Sequence, residues 1–421
     1  MNATALMPAG AGPGPRGSGR DVALHIAQIG CFSDPRRRLP EELLRAWPTL
    51  VDVAESVARC GARVSVVQAS EHSRRIDRNG VSYHFVPFGD PSSPLRAESA
   101  GGTLIRELAP DAFHVHGLGF PQHVLALAGL APGVPILLQD HADRLPRLWK
   151  RAGWKRCARV VAGVAFCSRE QARSFLNAGL LYSQTLVYEI PESTSRFTPG
   201  SREEARRALG LSGDPLLLWV GHLNENKDPL TVLAGVGEAA RELPGLELWC
   251  CFGTAPLLRR VQRRIQADPS LRGRVHLLGR VPHERVEQLM RAADAFVLGS
   301  HREGSGYSLI EALACGLPPV VTNIPSFRAL TGAGAVGMLW EPGNPRSLCG
   351  ALLALRGRAD AGLRMAVRAH FDRELSFGAL GRKLAAAYGG LMERNHAAGH
   401  GRTPQARAAP RGGSEETVQP P

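Results

Sequence analysis

The chain has 421 residues, 44% of them hydrophobic and 21% charged, with a formal net charge of +13 at pH 7. That length suits two domains with separate cores, and the hydrophobic share is ordinary for a soluble globular protein. The longest uncharged stretch, Ala112 to Gln139, is broken by Pro121, Pro132 and Pro135, which excludes it as a membrane span. The first residues lack a basic start followed by an apolar core, so no secretory signal is expected.

The positive charge is almost wholly arginine; lysine occurs only at 150, 155, 227 and 383. The charge reads as dispersed rather than gathered into one long run interleaved with aromatics, which argues against a dedicated nucleic-acid partner. An arginine-rich composition is the plain explanation. A weak, salt-sensitive peripheral contact with an anionic membrane or an acidic acceptor is the functional alternative. Eight cysteines, at 31, 60, 157, 167, 250, 251, 315 and 349, form no Cys-x-x-Cys pair. They read as free, mostly buried thiols of a reducing cytosol, with neither a disulfide framework nor a zinc site.

Residues 1–20 are rich in glycine, proline and alanine and are expected to be disordered, as is the tail 396–421. Between them strands and helices alternate. The segment 21–198 reads as an N-terminal Rossmann-like domain. Its strands are expected at Val22–Ile29, Arg63–Val67, Tyr83–Val86, Ala112–Val115, Pro135–Leu138 and Val160–Phe166. Trp47, Leu50, Val51, Ala54, Val57 and Ala58 form one helical apolar face. A break at Phe197-Thr198-Pro199-Gly200 opens a second series, 199–375. It has strands at Leu216–Gly221, Glu247–Phe252, Val275–Leu278, Ala295–Leu298 and Pro319–Thr322, and helices near 229–242, 255–267, 283–292 and 306–315. A final helix, 376–395, is expected to return to the first domain. Such alternation predicts α/β domains with parallel sheets, whose ligands bind at the carboxyl ends of the strands.

Several residues fall at such ends. Gly30 follows the first strand; a single glycine is no dinucleotide fingerprint, and the Arg36-Arg37-Arg38 run after it reads as a solvated loop. His114 and His116 alternate onto one face of their strand. His114 reads as a core histidine, and His116 as a cleft residue able to meet a sugar or move a proton. A metal is not expected, because no third ligand has suitable spacing. His141, after the next strand, is a second cleft candidate. In Gly221-His222-Leu223-Asn224-Glu225-Asn226-Lys227-Asp228-Pro229, Asp228 reads as an N-cap and Pro229 as the first helical residue. A lysine just ahead of a helix's positive end gains nothing for stability, which suggests a phosphate-binding charge. Glu303 and Glu311 flank a Gly304-Ser305-Gly306 loop. Glycines let backbone approach phosphate, helix N-terminal amides favour the anion, and carboxylates accept hydrogen bonds from sugar hydroxyls.

Together these residues resemble the retaining glycosyltransferases of the GT-B fold, of the family-4 kind. The resemblance covers best residues 215–345, through the Trp219-Val220-Gly221-His222…Lys227 loop, Val275-His276-Leu277-Leu278-Gly279-Arg280-Val281-Pro282 and the Glu-x7-Glu segment ending in Ala314-Cys315-Gly316-Leu317-Pro318. It implies two Rossmann-like domains facing a central cleft, the N-terminal one on the acceptor side and the C-terminal one binding the nucleotide-sugar. It implies that Glu303 binds the donor sugar, that the backbone of Ser305 and Gly306 holds the diphosphate with Lys227, and that Glu311 binds ribose hydroxyls. Arg280 and Val281 would line the base pocket, and His116 would face the donor from the other domain. His222 stands where the family often has a second phosphate-binding arginine. Ser305 stands where an aromatic is common, with Tyr307 as its compensation, and the family's Gly-Gly turn after the first strand is missing.

The expected activity is metal-independent, retaining transfer of a sugar from a nucleotide-diphosphate sugar, used as substrate and not as cofactor, to a hydroxyl acceptor in the cytoplasm. The alternatives are a weakened nucleotide-sugar or glycan-binding protein of the same fold, or another GT-B enzyme such as an epimerase.

Overall fold

A computed structural model describes residues 23–88, 94–142, 144–356, 361–397 and 399. The expectations for the termini therefore lie almost wholly outside the described residues. Two sheets organise the chain. The first contains β1 (His25–Gly30), β2 (Arg63–Ala69), β3 (Arg74–Arg78), β4 (Val81–Val86), β5 (Ala112–His116), β6 (Ile136–Gln139), β7 (Gly163–Phe166) and β8 (Leu186–Glu189), in the order β3-β4-β2-β1-β5-β6-β7-β8. The second contains β9 (Leu216–Val220), β10 (Glu247–Cys251), β11 (Val275–Gly279), β12 (Ala295–Leu298), β13 (Pro319–Thr322) and β14 (Met338–Trp340), in the order β11-β10-β9-β12-β13-β14. Both are doubly wound, as GT-B architecture requires.

One strand departs from the expected parallel pairing. β3 runs antiparallel to β4, with Arg74 opposite Phe85 and Arg78 opposite Val81. Its sequence, Arg-Arg-Ile-Asp-Arg, shows no apolar run because it is an edge strand with solvent on both faces. The strand expected over Val160–Phe166 begins only at Gly163, since Val160 closes a turn after the preceding helix.

The first sheet is buried on both faces, as a wound parallel sheet must be. Ala27 and Ile29 join one apolar cluster with Phe113, Val115 and Trp154, while Ile26 joins the other with Val64, Val66 and Leu137. That second cluster is closed by the last helix, Phe377–Ala397, whose Leu380, Leu384, Tyr388 and Leu391 form a stripe at helical spacing. The stripe packs beside helix Pro48–Arg59. A Cβ at Gly381 would lie 2.3 Å from the Ser56 carbonyl oxygen, so glycine permits the close approach of the two helices. Thus helix Phe377–Ala397 returns to the first domain, across the linker near residue 198.

Candidate active site in the interdomain cleft

The loops after β9 and β12, adjacent strands of the second sheet, are laced together. His301 N–H donates to the Asn226 carbonyl (2.8 Å), Asn226 Nδ2 donates to the Arg302 carbonyl (2.9 Å), and His301 Nε2 meets Asp228 Oδ2 at 3.0 Å. Asp228 is the N-cap of helix Pro229–Ala239, accepting from Thr231 N–H, in the left-handed backbone region. This lacing brings Lys227 and Glu303 into an ion pair, 76 residues apart in sequence, with side chains 14% and 13% exposed.

The glycine loop leads into helix Tyr307–Ala314 through Gly306, whose φ is +85°. A Cβ there would also lie 2.7 Å from the Phe327 ring. Gly306→Ala is therefore expected to cost about 1–3 kcal/mol in backbone strain, before Phe327 moves. Denaturant unfolding of the variant checks it, and the midpoint should fall without a change of slope. Tyr307, the first helical residue, is 39% exposed, and its hydroxyl is directed toward Ser193 of the other domain.

The other domain grips this loop. Gln171 Nε2 donates to the carbonyls of Glu303 (2.9 Å) and Gly304 (3.3 Å). A Cβ at Gly304 would sit 2.7 Å from the His141 carbonyl oxygen. Glu192, buried just after β8, accepts from Ser305 N–H at 2.9 Å, while its own N–H donates to Ser305 Oγ at 3.0 Å. Its second oxygen meets His141 Nδ1 at 2.5 Å. The Ser305 amide expected to be open to a diphosphate is thus held by a carboxylate of the same chain. Ser305 is itself buried, so a small hydroxyl suits a position where an aromatic ring would not fit beside Glu192.

A line of hydrogen-bonding groups continues from Glu192. His141 Nε2 lies 3.3 Å from His116 Nδ1, and His116 Nε2 lies 3.4 Å from Gln28 Oε1. The expected shared face of His114 and His116 is found, with ring centroids 4.4 Å apart. His114 is fully buried, but its partner is the Tyr388 hydroxyl on the last helix (2.8 Å) and not backbone. Burial, reinforced by nearby His141, pushes its pKa down to about 3. Burial first, then His114 and His141, holds His116 well below the ordinary imidazole range. Both rings are therefore neutral at physiological pH, and His116 can exchange hydrogen bonds but resists protonation.

The C-terminal ends of β9, β10 and β11 form the neighbouring rim. His222 Nδ1 accepts from Thr254 N–H at 3.1 Å, and Phe252 N–H donates to the Gly279 carbonyl at 2.8 Å. Arg280, just after β11, is exposed and Val281 half-buried. Glu311 Oε1 is bound by His283 Nε2 at 2.6 Å, and the His283 ring lies 4.6 Å from that of Phe197. The Glu311 hydrogen bond raises the His283 pKa above the ordinary value. The pairing is therefore complete below the ordinary imidazole range and is lost as pH rises through the raised value. NMR titration is expected to show a raised His283 midpoint that returns toward the ordinary value in Glu311→Gln.

Gly30 closes β1 directly beside His116, its pairing partner on β5, and a Cβ there would meet Gln68 Oε1 at 2.0 Å. Gln68 Nε2 holds the following loop by the Phe32 carbonyl (2.7 Å). Of the arginine run, Arg38 pairs with Asp34 (2.7 Å) and Arg37 with Glu71 (3.1 Å), so two of the three charges are paired within the chain.

Sequence reasoning missed Glu192, His283 and Gln171. Glu192 follows β8, a strand whose Leu-Val-Tyr-Glu run is too short to stand out. The first residue of helix His283–Ala292, His283, was visible as following Val281-Pro282, but nothing in its spacing points to Glu311.

Residues 201–356 match the family model described as "Glycosyl transferases group 1". Among curated proteins, the chain is 32% identical over 181 residues to the D-inositol 3-phosphate glycosyltransferase of Nocardia farcinica, covering 42% of this chain and 40% of that enzyme. It is 28% identical over 316 residues to the 2-deoxystreptamine N-acetyl-D-glucosaminyltransferase of Streptomyces fradiae, covering 70% and 73% of the two chains. The chain thus spans less than half the length of the first relative and about three quarters of the second. Among solved structures, Anabaena HepE in complex with UDP superposes with a TM-score of 0.65 at 16% identity, covering 87% of this chain and all of that one. That likeness establishes the GT-B fold.

Proposed function

We propose that this chain, whose residues 201–356 match the group 1 glycosyl transferase model, transfers a sugar from a nucleotide-diphosphate sugar to a hydroxyl acceptor, with retention at the anomeric carbon. The observation that carries the reading is the Lys227–Glu303 pair, set at the glycine loop and faced across the cleft by His141 and Glu192. Phosphate and sugar hydroxyls are what such a cation and carboxylate exchange partners for: the diphosphate takes Lys227, and the released Glu303 accepts from the sugar. Glu311 keeps one oxygen for ribose while His283 holds the other. The rim of Arg280 and Val281 takes the base side, and His222 faces the diphosphate.

In the reaction the C–O bond to the donor phosphate breaks through an oxocarbenium-like transition state. The acceptor hydroxyl attacks from the same face, and its proton passes to the departing phosphate oxygen. Nothing in this sequence needs a protein nucleophile. The chain positions the reactants and stabilises the diphosphate charge through Lys227 and the loop amides, without a metal. Neutral His116 supplies a hydrogen bond to the donor from the opposite wall. The setting is the cytoplasm, where the free thiols stay reduced; among the described residues no helix is long and apolar enough to cross a membrane.

One observation favours the weakened binding-protein alternative: Glu192 occupies the Ser305 amide, so an incoming diphosphate must displace a carboxylate or leave that amide unused. A thermal-shift panel of UDP-, GDP- and ADP-sugars, followed by product analysis with an acceptor panel, separates the two. A ligand at 100 times its Kd stabilises by about 2.7 kcal/mol. Transfer with retained anomeric configuration supports the enzyme. Stabilisation by a donor without transfer supports the binding protein, and no stabilisation by any donor overturns both.

A further inference from the structure

The cleft wall beside His141 continues into a stretch with no part in the transfer reading. From Arg144 to Arg159 the sequence holds seven cations and no acidic residue, so part of the charge is gathered here rather than dispersed. The stretch forms a 3₁₀ turn, Leu148–Lys150, and a helix, Arg151–Ala158. Trp154 and Cys157 anchor that helix in the first domain's core. Leu148 and Trp149 point the other way, 73% and 72% exposed, with Leu145 also exposed beside them. The Arg147 guanidinium lies over the Trp149 ring, 5.3 Å from its centroid.

Single exposed apolar residues are ordinary, but a leucine and a tryptophan side by side inside a ring of cations are not. A lipid–water boundary takes both parts: indole sits at the headgroup level, leucine enters the acyl boundary, and arginine and lysine meet phosphates. We propose that residues 144–159 form a docking surface for a bilayer containing anionic lipid. A nucleic-acid strand suits the patch less well, because it offers one exposed ring for stacking and two aliphatic side chains that stack with nothing. A cavity of about 400 Å³ lined by Leu145, Lys150, Trp154, Leu118 and His141 joins the patch to the cleft. A docked bilayer would therefore lie at the acceptor side of the cleft. The docking itself does not depend on the transfer reading.

The test is co-sedimentation of the full-length protein with phosphatidylcholine vesicles, with and without phosphatidylglycerol, at rising salt. Binding is expected to require phosphatidylglycerol and to weaken with salt. The Leu148→Ser/Trp149→Ser variant should bind at least about tenfold more weakly, the worth of a few buried methylenes. In Arg147→Glu/Lys150→Glu, each lost cation should cost about fivefold. Arg259→Glu/Arg263→Glu, on an exposed helix face of the other domain, carries the same charge change and should keep most of the binding. Wild type that ignores anionic vesicles overturns the proposal. So does equal loss in the distant variant, or tighter binding to single-stranded DNA with the same dependence on Leu148 and Trp149. Quenching of wild-type tryptophan fluorescence by brominated lipid gives a reading free of any folding defect in the variants, and its absence also refutes docking.

Discussion

Lys227→Ala is expected to lower kcat by about 10²–10³, the usual cost of one preorganised electrostatic contact to a developing oxyanion. The lysine stands at the glycine loop with its side chain largely shielded from water, where its charge is worth more than on an open surface. Glu303→Ala should reduce kcat comparably, for a different reason, and the two variants separate in KM. Losing Lys227 leaves Glu303 without its partner and removes a cation from the donor, so donor binding weakens along with turnover. Losing Glu303 frees Lys227 from its ion pair, so donor binding holds or tightens while turnover falls, the mark of an interaction made chiefly in the transition state. Steady-state kinetics with the donor found by thermal shift, alongside melting curves of both variants, checks this. Near-wild-type kcat for both would remove the proposed function.

The second large effect concerns the linker. Arg196 Nη2 reaches Asp52 Oδ1 (2.7 Å) and Glu55 Oε2 (3.1 Å), both on helix Pro48–Arg59 and both buried. Its guanidinium also lies 4.8 Å from the Phe377 ring centroid, at the start of the last helix. One side chain therefore ties the linker to helix Pro48–Arg59 and to helix Phe377–Ala397. Removing one partner of a buried ion pair typically costs 3–5 kcal/mol, because the other charge stays buried. Arg196 is half-exposed, and Arg78 still meets Glu55 at 3.2 Å, so Arg196→Ala is expected near the lower limit, about 3 kcal/mol at neutral pH. Burial already raises the Asp52 pKa, and Arg196 opposes that rise. Without Arg196 the folded state takes up a proton at still higher pH than the unfolded chain does. The deficit should therefore shrink as pH falls from neutral toward the carboxylate range. Urea unfolding of wild type and variant at several pH values measures it; a deficit independent of pH would place the loss in packing against Phe377 instead.

Much of the frame was legible in the sequence because its signals are local. Ala295–Leu298, Pro319–Thr322 and helix His283–Ala292 carry apolar patterns with marked ends, and they lie where periodicity puts them. Asp228 and Pro229 announce their helix by capping chemistry alone. β3 escaped because an exposed edge strand needs no apolar alternation. β8 escaped because a four-residue edge strand, half-exposed along its length, has little periodicity to show.

For the site, the sequence by itself determined which groups stand near strand ends: Lys227, Glu303, His116 and His141 are there by alternation and loop position, and Glu311 lies on the helix that follows its strand. Only the tertiary structure decided what each one touches. Glu303 meets Lys227, Glu311 meets His283, and the Ser305 amide meets Glu192, over separations of 76, 28 and 113 residues. No local pattern encodes such partners, since hydrogen bonding depends on ångström-scale approach between loops carried by different strands and different domains. The same reason divides the charge. Composition announces an arginine-rich chain, but only folding buries Trp154 and thereby turns Leu148, Trp149 and their cations outward together.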